Sequence, residues 1–214
     1  MNRYGVLGSG VVAQVLAKGL KTHGYDVRIG SREPEKLAAF RDETGISTGT
    51  FAEVADGADV IVLAVKGSVA ADALALAGAE RLAGKVIVDT TNPIADGAPV
   101  DGVLPYFTGP NESLMERLQA AFPDARFVKA FNSVGNASMV NPTFAGGPAT
   151  MFICGNDANA KRVVGAVLDA FGWQPLDMGT AAAARAIEPL CQLWCIPAFR
   201  EGHSTHAFKV VERL

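Results

Sequence analysis

Short continuous apolar runs recur along the chain: "YGVLG" at 4–8, "DVRIG" at 26–30, "DVIVLAV" at 59–65, "KVIVDT" at 85–90, "RFVKAF" at 126–131 and "TMFICG" at 150–155. Between most of them lie longer stretches with helical spacing, among them "GVVAQVLAKGLKTHG" and "DANAKRVVGAVLDAFG". Apolar strands alternating with helices predict an α/β protein, a doubly wound Rossmann-type, mainly parallel sheet covered by helices on both faces. Helix punctuation agrees. Ser31 is placed to cap a helix whose first turn holds Glu33, Pro34 and Glu35, and Gly24 and Gly172 offer left-handed stops after two others.

Two connections are longer and richer in Asn, Pro and Gly: 90–113 and 132–149. Both follow strands and so emerge where open α/β sheets bind ligands. After Gly179 the pattern is helical, with Pro189 and Pro197 expected to kink or end the helix and "FREGHSTHAFKVVERL" expected to add another. The expected organisation is 1–178 as a nucleotide-binding domain and 179–214 as a C-terminal helical segment. That segment would complete the substrate cleft and make a dimer contact.

The stretch "GVLGSGVVAQVL" carries Gly8, Gly10 and Ala13 as G-x-G-x-x-A, directly after an apolar strand and directly before a helix. This context is what a dinucleotide requires. Gly8 permits the tight turn, Gly10 the approach of a pyrophosphate, Ala13 close helix–strand packing, and the helix N-terminus presents free amides to the phosphates. An NAD site would carry an acid near position 30, but the chain reads "IGSREPEKL". Gly30 leaves room, Ser31 offers a hydroxyl, Arg32 a guanidinium fork and Lys36 a second cation, a set suited to the 2′-phosphate of NADP.

Charge and cysteine content narrow the classes further. With 19 basic and 22 acidic residues in 214, and no basic cluster, a nucleic-acid partner is not expected. No apolar run reaches the ~18 residues of a membrane span, and no leader pattern precedes "RYGVLGSG". Cys154, Cys191 and Cys195 are too few for a disulfide framework and read as core thiols in a reducing cytoplasm; Cys191 and Cys195, four apart, could alternatively pair on one helix face. His203 and His206 read as surface or subunit-contact residues, with a metal pair or proton donors as the sharper alternative. No metal site is expected.

The segments "GSGVVAQVLAKGL", "GSREPEKL", "VKAFNSVG" and "PLDMGTAAAARAIEPL" resemble the small NADP-dependent oxidoreductases grouped with the F420-dependent NADP reductases, related to the cytosolic reductase domain of the STEAP ferric reductases. The resemblance runs along nearly the whole chain. It implies Ser9, Gly10, Val11 and Val12 on the diphosphate, with Ser31, Arg32 and Lys36 on the 2′-phosphate. Val65 and Lys66 would lie along the nicotinamide-side ribose, and Asn92, Pro93, Ala130 and Asn132 would approach the nicotinamide. It further implies NADP(H) as cofactor, F420 or a flavin as co-substrate, a small-molecule electron acceptor as partner, and a homodimer. Asn132 stands where deazaflavin-reducing members carry a histidine, and the loop 94–110 is unlike theirs.

Hydride transfer to a flavin-like ring needs stacking and exclusion of water and no nucleophile, so no catalytic residue is assigned. Trp194, Phe199 and Phe208 are candidates for an apolar lining. Two other readings stay open. One is a dehydrogenase of a small organic substrate, with Lys66 or Lys129 as its base, although strand-flanking charge is the plainer role for each. The other is an NADP-binding sensor that does not turn the cofactor over.

Overall fold

The computed structural model describes residues 2–213. Eight strands form: β1 (Arg3–Leu7), β2 (Asp26–Gly30), β3 (Ser47–Gly49), β4 (Val60–Leu63), β5 (Val86–Asp89), β6 (Arg126–Lys129), β7 (Thr150–Ile153) and β8 (Gln174–Asp177). The helices that separate the first six are α1 (Val11–Thr22), α2 (Ala38–Thr44), α3 (Phe51–Gly57), α4 (Ala70–Ala77), α5 (Ala79–Leu82) and α6 (Leu114–Ala121). Then come α7 (Ala158–Ala170), α8 (Ala184–Ile187) and α9 (Pro189–Glu201).

Six strands make one parallel sheet in the order β3-β2-β1-β4-β5-β6, the doubly wound arrangement that the alternation predicts. β7 and β8 pair parallel in a second sheet, joined to the first by an antiparallel bridge from Lys129 to Cys154. Strand side chains alternate between two cores, as the period of two demands. Val6, Ile29, Val62 and Val88 face one core with α1, α2 and α7. Leu7, Ile61, Leu63 and Ile87 face the other with α3, α4 and α6. Caps fix where several helices begin: Thr50 and Glu53 form a reciprocal capping box on α3, and Ser113 and Asp157 cap α6 and α7.

Gly24 and Gly172 stop α1 and α7 with φ of 82° and 85°, as their positions suggest. The C-terminal expectation needs correction. Pro189 opens α9, Pro197 sits inside it, and Gly202, in the left-handed conformation, ends it. No helix follows across 203–213. That segment finds its partners outside itself: Trp194 Nε1 donates to His206 O (2.8 Å), Thr150 N donates to Phe208 O (2.9 Å), and Val210 N donates to Thr150 Oγ1 (3.0 Å). These contacts with α9 and the start of β7 hold part of its backbone, and the rest lies mostly exposed to water, so the tail has no need of a helical ladder. Among the described residues no helix is long and apolar enough to cross a membrane.

Candidate cofactor-binding cleft

Because β1, β2, β4 and β5 are parallel and in close register, their C-terminal ends lie side by side, and the loops leaving them share one edge of the sheet. A cavity of about 640 Å³ opens there, within the range of small-molecule and cofactor sites. Its floor is the glycine loop, Gly8, Ser9 and Gly10, with Val11 and Val12 at the start of α1. Its far wall is the segment after β2, with Ser31, Arg32 and Lys36. Its near wall is Val65 and Lys66 after β4. Ten of the fourteen residues predicted from sequence therefore meet around one space.

Gly8 has a φ of 138°, and a Cβ built on it would overlap the Ala64 carbonyl, so the turn after β1 demands glycine. Gly10 is different. A Cβ there would meet nothing within 4 Å, so the missing side chain leaves open cavity above the backbone. Gly10 caps α1 with extended backbone and no side-chain hydrogen bond, leaving the first-turn amides of α1 free for an outside acceptor. Gln14 Nε2 donates to Ser9 O (2.9 Å) and fixes the loop from behind. The cradle thus has the shape and donor set that a diphosphate fits.

Two details of the far wall differ from the sequence reading. Ser31 Oγ accepts from Glu33 N (3.2 Å), closing a local turn ahead of a 3-10 turn at Pro34–Leu37; it is not the N-cap of a helix. Gly30 does not line the cavity. A Cβ there would press against Phe51 Cδ1 (3.1 Å) and Thr50 O (3.3 Å), so its small size serves packing against α3. Lys36 Nζ lies 2.6 Å from Glu33 Oε1, which lowers the Glu33 pKa through that hydrogen bond and charge.

Several wall residues had no motif to announce them. Phe51 at the start of α3, Val69, Asp72, Ala73 and Leu76 in or just before α4, and Thr90 after β5 all line the cavity. Only their position after strand ends could have signalled them.

Asn92, Pro93, Ala130 and Asn132 lie outside this cavity, at the ends of β5 and β6. Ala130 and Pro93 are buried, and Ala130 N donates to Asp89 O (3.1 Å). Asn92 Nδ2 donates to Asn132 O (2.8 Å) while Asn132 Nδ2 donates to Asn92 Oδ1 (3.2 Å) and to Ile187 O (2.9 Å). Asn132 Oδ1 is buried with no partner among the described residues. Phe131, between Ala130 and Asn132, has a φ of 61°, a strained conformation for a bulky residue.

Beneath these residues, at the end of β6, lies a buried charge. Lys129 is completely buried, with Nζ 2.7 Å from Asp89 Oδ2, 2.9 Å from Glu188 Oε1 and 2.8 Å from Thr91 O. Burial pulls its pKa down, and the two carboxylates more than reverse this, so Lys129 is held protonated and is no general base.

Of the aromatic candidates, Trp194 packs against the loop at Gly135, Phe199 faces solvent and Phe208 is half-buried. His203 and His206 stack in parallel at 5.1 Å, and among the described residues no group of three or more His, Cys, Asp or Glu could hold a metal. Cys191 and Cys195 are free thiols with Sγ atoms 4.0 Å apart.

A six-stranded doubly wound sheet with a glycine-loop cleft at its strand ends is a Rossmann fold, and its similarity to known proteins makes it that of an NADP-dependent oxidoreductase. The family described as NADP oxidoreductase, coenzyme F420-dependent, matches residues 3–93. A crystal structure from Arthrobacter sp. FB24, designated an F420-dependent NADP reductase, superposes with a TM-score of 0.92 at 34% identity, over 99% of this chain and 100% of that one. Rat metalloreductase STEAP3 is 34% identical over 200 residues, covering 91% of this chain and 38% of its own; human STEAP2 is 29% identical, covering 87% and 35%. The chain thus spans little more than a third of the length of these curated relatives. A pyrroline-5-carboxylate reductase of Coxiella burnetii, 17% identical with a TM-score of 0.66, shares the fold. The chain belongs to the F420-dependent NADP oxidoreductase family.

Proposed function

We propose that this NADP-dependent oxidoreductase passes hydride between NADPH and a small flavin-like acceptor, F420 or a free flavin. The observation that carries the reading is the cavity running from Arg32, across the glycine loop, to Val65 and Lys66. In this reading Ser9, Gly10, Val11 and Val12 hold the diphosphate, while Ser31, Arg32 and Lys36 hold the 2′-phosphate. Phe51, Val69 and Leu76 supply an apolar wall for the adenine. The orphaned Asn132 Oδ1 supports a nicotinamide subsite, since a buried acceptor without a partner suits the carboxamide N–H groups.

When bound, the nicotinamide supplies the hydride; the protein's part is orientation and exclusion of water. Residues 1–178 act as the NADP-binding unit. Residues 179–214 bring α9 and the tail over the ends of β5 and β6, where Trp194 supports the loop after Asn132. Exposed Leu193 and Phe199 support a homodimer through α9. Three free cysteines fit a reducing compartment such as the cytoplasm.

The test is oxidation of NADPH, against NADH, with F420, FMN, FAD, riboflavin and ferric chelates offered in turn; the ferric chelates answer the metalloreductase names of the relatives. Rapid turnover of F420 or a flavin with a clear NADPH preference supports the reading. Tight NADPH binding with no oxidation by any of these acceptors rejects it in favour of a sensor or of a dehydrogenase acting on another organic substrate. Turnover of ferric chelates alone moves the acceptor class to metal complexes.

A further inference from the structure

The connection 90–113 is long and irregular, yet two points along it and one just past its end converge on the buried cluster of Lys129, Asp89 and Glu188. At its start, Lys129 Nζ donates to Thr91 O (2.8 Å), and Asp89 Oδ1 accepts from Thr91 N (2.9 Å) and Thr91 Oγ1 (2.7 Å). In its middle, Tyr106 Oη donates to Glu188 O (2.8 Å). Just past its end, the two first amides of α6, Leu114 N and Met115 N, donate to Glu188 Oε2 and Oε1 (2.9 and 3.0 Å). The same cluster reaches the neighbouring loop, because Asn132 Nδ2 donates to the carbonyl of Ile187, the residue before Glu188.

One cation facing two buried carboxylates leaves a surplus negative charge, and the α6 N-terminus is the partial positive charge that meets it. Apolar side chains would close this space at less desolvation cost. What the charges add is direction, since each oxygen of Glu188 has a fixed donor.

We propose that Lys129 and Glu188 are positioning residues for hydride transfer: they clamp the 90–113 roof and the Asn92–Asn132 pair over the nicotinamide end of the cleft, so that the roof is a fixed wall. This rests on the functional reading above for its kinetic part only. The glycine loop and Arg32 stand on other strands, so the clamp governs the reacting end and leaves the diphosphate and 2′-phosphate contacts alone.

The experiment compares wild type with Glu188→Gln and Asp89→Asn, which keep shape and remove one charge each. In Glu188→Gln, hydrogen exchange at Thr91, Asn92, Leu114 and Met115 should rise while exchange in α1 stays as in wild type. Titration should show NADPH affinity within about twofold of wild type, while single-turnover hydride transfer falls about tenfold to a hundredfold, the loss expected of slight misplacement. The primary isotope effect with NADPH deuterated at C4 should increase as transfer becomes the slow step. Unchanged exchange in the roof of both variants overturns the clamp, whatever the acceptor proves to be. Unchanged transfer with a loosened roof overturns its kinetic role, as does a loss of NADPH affinity proportional to the loss of rate. If wild type oxidises NADPH with no acceptor, the functional reading fails, and exchange alone decides the clamp.

Discussion

Lys36 Nζ sits 2.6 Å from Glu33 Oε1 on the far wall of the cleft, whereas Arg32, on the same wall, has no carboxylate within ion-pair distance among the described residues. The two cations therefore do not start equal. A phosphate meeting Lys36 must compete with Glu33, and one meeting Arg32 gains a planar fork of free donors. Arg32→Ala should weaken NADPH binding by about 1.5–3 kcal/mol, the range for hydrogen bonds to charged groups, with NADH binding unchanged. Lys36→Ala should cost no more than about 1 kcal/mol, as for other exposed pairs. Glu33→Gln, which frees Lys36, should tighten NADPH binding. Fluorescence titration of both nucleotides checks all three, and equal effects on NADPH and NADH would remove the 2′-phosphate assignment.

How much of this was legible in the sequence depended on whether a residue's role is local. Gly8, Gly10 and Ala13 announce themselves because a tight turn and a close approach each need a particular residue at a fixed spacing. The strands β3 and β8 did not show: "STG" and "QPLD" lack apolar runs, because edge strands bury little. Lys129 looked like a charge at a strand end, since nothing in "RFVKAF" tells that Glu188, far along the chain, arrives above it. Glu188 lies in the family-like segment "PLDMGTAAAARAIEPL", but no local pattern there tells its role. Its function is to cap α6 from another helix, a tertiary relationship with no local pattern. The tail after Gly202 departs from the expected helix for a related reason, its hydrogen-bond partners lying at Thr150 and Trp194.

Gly8 and Gly10 should separate stability from affinity. Alanine at Gly8 meets both a φ of 138° and the Ala64 carbonyl, so Gly8→Ala should cost at least about 1–3 kcal/mol, or roughly 2–4 °C of Tm for each kcal/mol. Alanine at Gly10 meets only open cavity, so Gly10→Ala should melt like wild type yet bind NADPH weakly, its methyl group standing where the diphosphate must approach. Thermal melts with and without NADPH distinguish the two, because the nucleotide should raise the Tm of wild type and hardly that of Gly10→Ala. A Gly10→Ala protein that binds NADPH normally would show that no diphosphate lies against this loop.

Cys154 is buried beside the charged cluster, and burial pushes its thiol from 9.0 up to about 12. The fold thus favours the protonated form. Its contribution to stability is intact below pH 9.0 and is lost as the pH rises from there toward about 12, where the unfolded chain ionises first. Urea unfolding should show stability falling with alkaline pH, and Cys154→Ala should flatten that fall even if it lowers stability overall. The same burial predicts that iodoacetamide at mildly alkaline pH labels Cys154 last. Cys191 should react earlier, since hydrogen bonding from Cys195 favours its thiolate while the same contact holds Cys195 protonated. Peptide mass spectrometry would read the order, and early labelling of Cys154 would contradict its burial.

Gly30 and Ser31 give opposite answers to the question of how to convert the cleft to NAD. Sequence logic points at Gly30, where an acid would ordinarily sit, yet its Cβ direction runs into Phe51, the Thr50 carbonyl and Val54. Gly30→Asp should therefore act as overpacking, costing about 1–3 kcal/mol of stability without creating a ribose site. Ser31 lines the cavity at 5% exposure, so a carboxylate there faces the space where the 2′-phosphate would lie. Ser31→Asp should repel that phosphate and accept from the ribose hydroxyls of NADH, and combined with Arg32→Ser it should invert the preference. The ratio of NADPH to NADH affinity, measured beside Tm for each variant, decides between the positions. A preference switched by Gly30→Asp at unchanged Tm would mean that α3 yields where the packing says it cannot.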